Sequence, residues 1–155
     1  MIEAITKCLP PGTSTTASFV SYHLDFTLHS TSESAGEASI TPASTFSITP
    51  AFSAPLTEWL FLTLKDGKTK DDIIPLLNEI RDKLAEDAKT ISGLYVPMLW
   101  AQTVEDPRVF AALLGWDSVE VHRQVGAQEK YGEVMKTLLN TADFKVTHTP
   151  FEKNI

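Results

Sequence analysis

TVEDPRVFAALLGWDSVEVH, residues 103–122, contains a turn, an apolar run and a helix start in close succession. TVEDP is turn-prone and separates two strand-like runs, GLYVPMLWAQ at 93–102 and RVFAALLGW at 108–116, whose spacing suits an antiparallel hairpin. Beyond the second run, Asp117 is read as a helix cap with Glu120 three residues on, a capping-box pattern. On a helical wheel of 118–125, Val119, Val121 and Val125 bracket His122, while Glu120, Arg123 and Gln124 fall opposite. The imidazole is therefore expected to point toward the interior.

Working outward, TEWLFLTLKDG at 57–67 is an apolar strand with turn chemistry at Asp66 and Gly67. A helix is expected next, capped by Asp72, with Pro75 in its first turn and Ile73, Leu76, Leu77, Ile80 and Leu84 on one stripe. Gly126 interrupts or ends the helix that carries His122. A further helix is predicted from Tyr131, Val134, Met135, Leu138 and Leu139, and a last strand from FKVTHT at 144–149. The order strand, helix, strand, strand, helices, strand predicts an α+β fold: the ferredoxin-like split β-α-β arrangement with a four-stranded antiparallel sheet.

The chain changes character near Pro55. Residues 1–55 hold most of the Ser, Thr and Pro and a single Lys, whereas every Trp lies in 56–155. Two units are expected: an N-terminal arm, 1–55, and an α/β domain, 56–155. In the arm, Val20, Tyr22, Leu24, Phe26 and Leu28 alternate with polar residues as a period-2 strand. A polar loop at 30–39 leads to a second, Pro-interrupted strand at 40–52. Such a β hairpin is barely stable alone, so its apolar face is expected to lie on the main domain or on a second copy of it.

The 155 residues are 43 % apolar, enough for one core, and carry a net charge of −7 without a basic cluster. That balance argues against nucleic acid or an anionic membrane surface as partner. The single cysteine, Cys8, allows no internal disulfide and fits a cytoplasmic location. MIEAITKCLPPG lacks the features of an export signal, and no window is apolar enough for a membrane helix.

The 103–122 run also resembles the dimeric α/β-barrel superfamily, which includes antibiotic-biosynthesis-monooxygenase-like and stress-responsive barrel proteins. Trp116, Asp117 and Ser118 carry the pattern, Glu120 and His122 extend it, and the likeness spans about 56–151. The resemblance implies a homodimer whose sheets pack face to face, with a pocket in each subunit between sheet and helices. Pocket-facing histidines recur on these helices in its enzymes.

His122 is the first candidate for acid/base chemistry, since an imidazole titrates near neutrality and a partly apolar lining shifts it. The alternative is a core histidine satisfied by a carbonyl or hydroxyl. Tyr131 is a candidate supporting hydrogen-bond donor to an enolate or phenolate oxygen. Trp59, Phe61, Trp100 and Trp116 are candidate walls for a flat substrate, the alternative being core filling. His148 shares a strand face with Phe144 and Val146 and is expected at the pocket or the dimer seam. Plant polyketide cyclases of the resembled superfamily use a His and Tyr pair, and Glu58 or Trp59 stands here where such a cyclase has a histidine.

His23, Asp25 and His29 lie too far apart along an extended strand, roughly 20 Å from first to last, to share a metal. No G-x-S-x-G elbow, G-x-G-x-x-G or P-loop sequence is present. The expectation is a cofactor-independent enzyme of secondary metabolism without a metal, acting on a polyketide-like or phenolic small molecule by oxygenation, cyclisation, isomerisation or decarboxylation. The alternatives are a non-catalytic, stress-responsive ligand-binding or assembly protein, and a haem-handling monooxygenase.

Overall fold

The computed structural model describes residues 22–24 and 50–150. A short helix α1 (Pro50–Ser53) precedes β1 (Leu56–Leu64), α2 (Lys70–Asp87) and the hairpin of β2 (Leu94–Gln102) and β3 (Val109–Trp116). Helix α3 (Val119–Gly126), a single 3-10 turn at Glu129–Tyr131, helix α4 (Gly132–Thr141) and β4 (Ala142–Pro150) complete the chain. All strands pair antiparallel, in the order β2-β3-β1-β4. This is the split β-α-β arrangement expected from the order of elements.

Alternation along β1 divides the molecule into two sides. Leu60, Leu62 and Leu64 pack with Ile73, Leu77 and Leu84 of α2 and with Val134 and Leu138 of α4, forming the main core. Trp59 points the other way and joins Ala51, Leu99 and Leu113 in a second, smaller cluster. The sheet thus has an inner face under the helices and an outer face. β3 is buried along its whole length, which is why its sequence reads as an unbroken apolar run rather than an alternating one.

Helix starts differ from the sequence reading by a residue or more. Ser118, not Asp117, caps α3: its backbone is extended and its hydroxyl accepts the Val121 N–H. The Tyr95 hydroxyl donates to the Asp117 carboxylate at 2.9 Å and engages it outside the helix. Glu120 therefore sits one position too early for a capping box. At α2 the cap is Thr69, and Asp72 plays the reciprocal part, accepting the Thr69 N–H at 2.8 Å. Pro75 consequently falls beyond the first turn, inside the helix. Tyr131 belongs to the 3-10 turn and not to α4, and Leu139 of the expected apolar stripe is exposed, because α4 buries Val134, Leu138 and Thr141 instead.

Of the expected arm, residues 50–53 are helical rather than part of a strand. Ala51 is fully buried on the outer face, and the Thr57 hydroxyl donates to its carbonyl at 2.5 Å. Leu24 forms an antiparallel bridge with Thr103, the His23 N–H donates to the Glu105 carboxylate, and the Tyr22 ring lies 5.9 Å from Phe61. The rest of the expected hairpin lies outside the described residues. Among the described residues no helix is long and apolar enough to cross a membrane.

Candidate active site

A cavity of about 130 Å³ lies between the inner face of the sheet and the helices. Its walls are almost wholly apolar, with Leu60, Leu77, Met98 and Leu114 among them, and its polar groups are few: Glu58, Trp116, His122 and Tyr131. An apolar concavity with a few convergent polar groups is the expected form of a small-molecule site.

Each of these polar side chains is placed by an element. Glu58 lies on the Leu60, Leu62, Leu64 side of β1 and is therefore carried under the helices, where it is 7 % exposed. The register of β1 with β4 sets Glu58 opposite His148, and cross-strand partners project from the same face. At the end of β3, Trp116 faces the same space and its indole N–H donates to Glu58 Oε2 at 2.7 Å. Two residues later the chain turns into α3, whose second turn brings His122 over Trp116, with ring centroids 4.8 Å apart.

The result is a three-residue cluster. His122 Nδ1 and His148 Nε2 are 3.1 Å apart, so one of the two nitrogens carries the shared hydrogen. His122 Nε2 lies 3.6 Å from Glu58 Oε2, and His148 Nε2 lies 3.8 Å from the same oxygen. Burial pushes the Glu58 carboxyl above its ordinary value, while the Trp116 hydrogen bond and the His148 charge pull the other way. Burial also pushes His122 below its ordinary value, and Arg123 adds to that shift. An imidazole shifted downward is held as the free base at neutral pH. Near the open side of an apolar cavity, such a group can accept a proton from a weakly acidic substrate and share it with His148 or Glu58.

The other candidates are distributed unevenly around this centre. Trp116 lines the cavity. Tyr131 lines it as well, but its hydroxyl donates to Asp87 Oδ2 at 2.8 Å, and burial followed by that carboxylate raises its pKa. Asp87 itself is buried at the end of α2 and is further bound by Lys130 and Gln128. Burial raises the Asp87 carboxyl, but these partners outweigh it and hold the group below its ordinary value. Trp59 and Phe61 do not reach the cavity: period 2 puts them on the outer face, stacked on one another with ring centroids 6.5 Å apart. Trp100 packs on Phe110 and donates to Asn78 Oδ1 at 3.3 Å, apart from the cavity lining.

The sequence reading passed over Glu58 as a site residue. Its signal is the one acid in TEWLFLTL, in phase with three leucines, which predicts a buried carboxylate.

No protein-family model matches the sequence, and no curated protein does. Solved structures do match. SnoaB, a cofactor-independent oxygenase from Streptomyces nogalater, superposes with a TM-score of 0.55 at 10 % identity, over 64 % of this chain and 95 % of its own. A candidate antibiotic biosynthesis monooxygenase from Bordetella bronchiseptica gives 0.52 at 14 % identity, over 63 % and 97 %. PA3566 from Pseudomonas aeruginosa gives 0.51 at 14 % identity, over 66 % and 98 %. At such identities the likeness is one of fold alone.

Proposed function

We propose that this protein is a cofactor-independent, monooxygenase-like enzyme of small-molecule metabolism, with a polyketide-like or phenolic substrate. The observation that carries the reading is His122 at 3.1 Å from His148 and 3.6 Å from Glu58, on the wall of an apolar cavity. In this reading the substrate's hydrocarbon frame occupies the cavity and its acidic O–H or C–H faces His122 Nε2. His122 takes that proton, and His148 and Glu58 stabilise the imidazolium that forms. Trp116 holds Glu58 and packs at a tilt against the His122 ring, fixing the geometry of both. The Tyr131 hydroxyl is committed to Asp87, so its part is to wall the cavity rather than to donate to the substrate anion.

Proton removal leaves an electron-rich enolate or phenolate in a dry cavity. Such an anion can reduce dioxygen without a bound cofactor, and it can equally cyclise, isomerise or lose carbon dioxide. SnoaB, which shares the fold, is a cofactor-independent oxygenase, and this favours the first of these.

The test is oxygen uptake and product chromatography over a panel of polyhydroxylated aromatic compounds. His122→Ala is expected to leave the far-ultraviolet circular dichroism unchanged and to lower turnover about 10²–10⁴-fold, the usual contribution of a positioned base. Undiminished turnover in that variant would defeat the role given to His122.

A further inference from the structure

We infer that Glu58, His122 and His148 form a binding site for one divalent transition-metal ion. Two imidazoles and one carboxylate offer ligand atoms that all lie within 4.8 Å of one another, and they are the one such group among the described residues. Zinc-type bonds of about 2.0–2.2 Å put neighbouring ligand atoms roughly 3–3.5 Å apart. His148 Nε2 lies 3.8 Å from Glu58 Oε2, and His122 approaches this pair with Nδ1 3.1 Å from His148 Nε2 and with Nε2 3.6 Å from the carboxylate oxygen; rotation of the His122 ring would bring one of its nitrogens toward both.

Several other features suit a cation. The Trp116 N–H orients the Glu58 carboxylate, the kind of supporting hydrogen bond that ligating carboxylates receive. The carboxylate is buried, and Trp116 is its one hydrogen-bond partner among the described residues. A positive ion would compensate a buried carboxylate more fully than one neutral hydrogen-bond donor does. The histidine side chains are 30 % and 24 % exposed, which leaves an entry path from solvent.

The donor set selects the class of ion. Two nitrogens and one carboxylate oxygen suit Zn²⁺, Co²⁺ or Fe²⁺, whereas Mg²⁺ and Ca²⁺ prefer all-oxygen sites. Three protein ligands also leave positions open for water or an anionic oxygen of a ligand. Binding stands apart from the acid/base reading of the same residues. Its consequence does depend on that reading: a ligating His122 nitrogen has no lone pair for a proton, so the metal-loaded form is one in which the base is silenced.

Co²⁺ serves as the probe, added to the full chain after chelation and buffer exchange, with visible absorption, calorimetry and thermal unfolding as readouts. The expected result is one Co²⁺ per chain, ligand-field bands and a raised Tm, since an ion bound only by the folded state stabilises it. Glu58→Gln keeps an acceptor for Trp116 and, like His148→Ala, is expected to weaken binding at least about tenfold, by the scale of affinity lost when a metal site is disturbed. His23→Ala removes the exposed His23–Glu105 pair and is expected to change nothing. The inference is overturned by absence of saturable binding to the wild-type chain, by binding that survives Glu58→Gln and His148→Ala, or by binding lost with His23→Ala. Turnover of the chelated protein reports separately on the acid/base reading, so the two can fail independently.

Discussion

A single charged residue in an apolar strand gives the inner face of the sheet its one buried carboxylate among the described residues. One position away in β1 the Glu58 carboxylate would lie on the outer face, away from both imidazoles, because a shift by one reverses the face. In phase with Leu60, Leu62 and Leu64, it is buried beside two imidazoles. Asp87 is a second buried acid, with a different purpose: it ties the end of α2 to Lys130, Tyr131 and Gln128. Its folded pKa is lowered, so its contribution to stability is present above the ordinary aspartate value, about 3.9, and is lost as pH falls through the lower folded value. Wild type is therefore expected to lose stability on acidification through that window. Asp87→Asn should be less stable at neutral pH and show a flatter dependence, as measured by urea unfolding at a series of pH values. Neither acid could be paired from the sequence, since Asp87 meets residues more than forty positions away.

At the scale of elements, period and spacing carried most of the information. The strand-turn-strand pattern of 93–116 and the apolar stripe of α2 translate directly into β2, β3 and the face that α2 buries. Where reading and structure part, competition between local hydrogen bonds is the reason. Asp117 and Ser118 are both competent caps, and the Tyr95 hydroxyl, from another strand, engages the aspartate. Helix α1 shows the same dependence on neighbours. Its seat exists because position 115 is glycine: a Cβ there would lie 2.7 Å from Ala54 Cβ and 2.9 Å from Ala51 Cα. Gly115→Ala is expected to displace α1 and destabilise the fold by about 1–3 kcal/mol, the usual cost of overpacking. Chemical denaturation checks the size of the effect, and an unchanged midpoint would show that α1 is not held by this contact.

At the scale of the whole molecule, the sheet has two faces and the helices cover one. The outer face carries Trp59 and Phe61, partly covered by α1 and Tyr22. We propose that a second copy of this chain packs there, as the resemblance to dimeric barrels implies. Light scattering after size exclusion is then expected to give twice the 17.1 kDa chain mass, and Phe61→Arg should shift the protein toward monomer while leaving the inner cavity in place. A wild-type monomer at micromolar concentration would remove the proposal.

From β1 onward the sequence by itself determined which segments are strands and helices and in what order, and it marked most of the apolar positions that face the core, because those properties arise from contacts within a few residues. It also marked His122 as facing inward and His148 as sharing a face with its apolar neighbours. Only the tertiary structure decided that these two imidazoles and Glu58 meet, that Trp59 and Phe61 stand apart from them, and that the Tyr131 hydroxyl is already engaged. Those facts depend on the β1–β4 register and on how α3 and α4 settle on the sheet. They are set by packing between residues distant in the chain, which local periodicity does not encode.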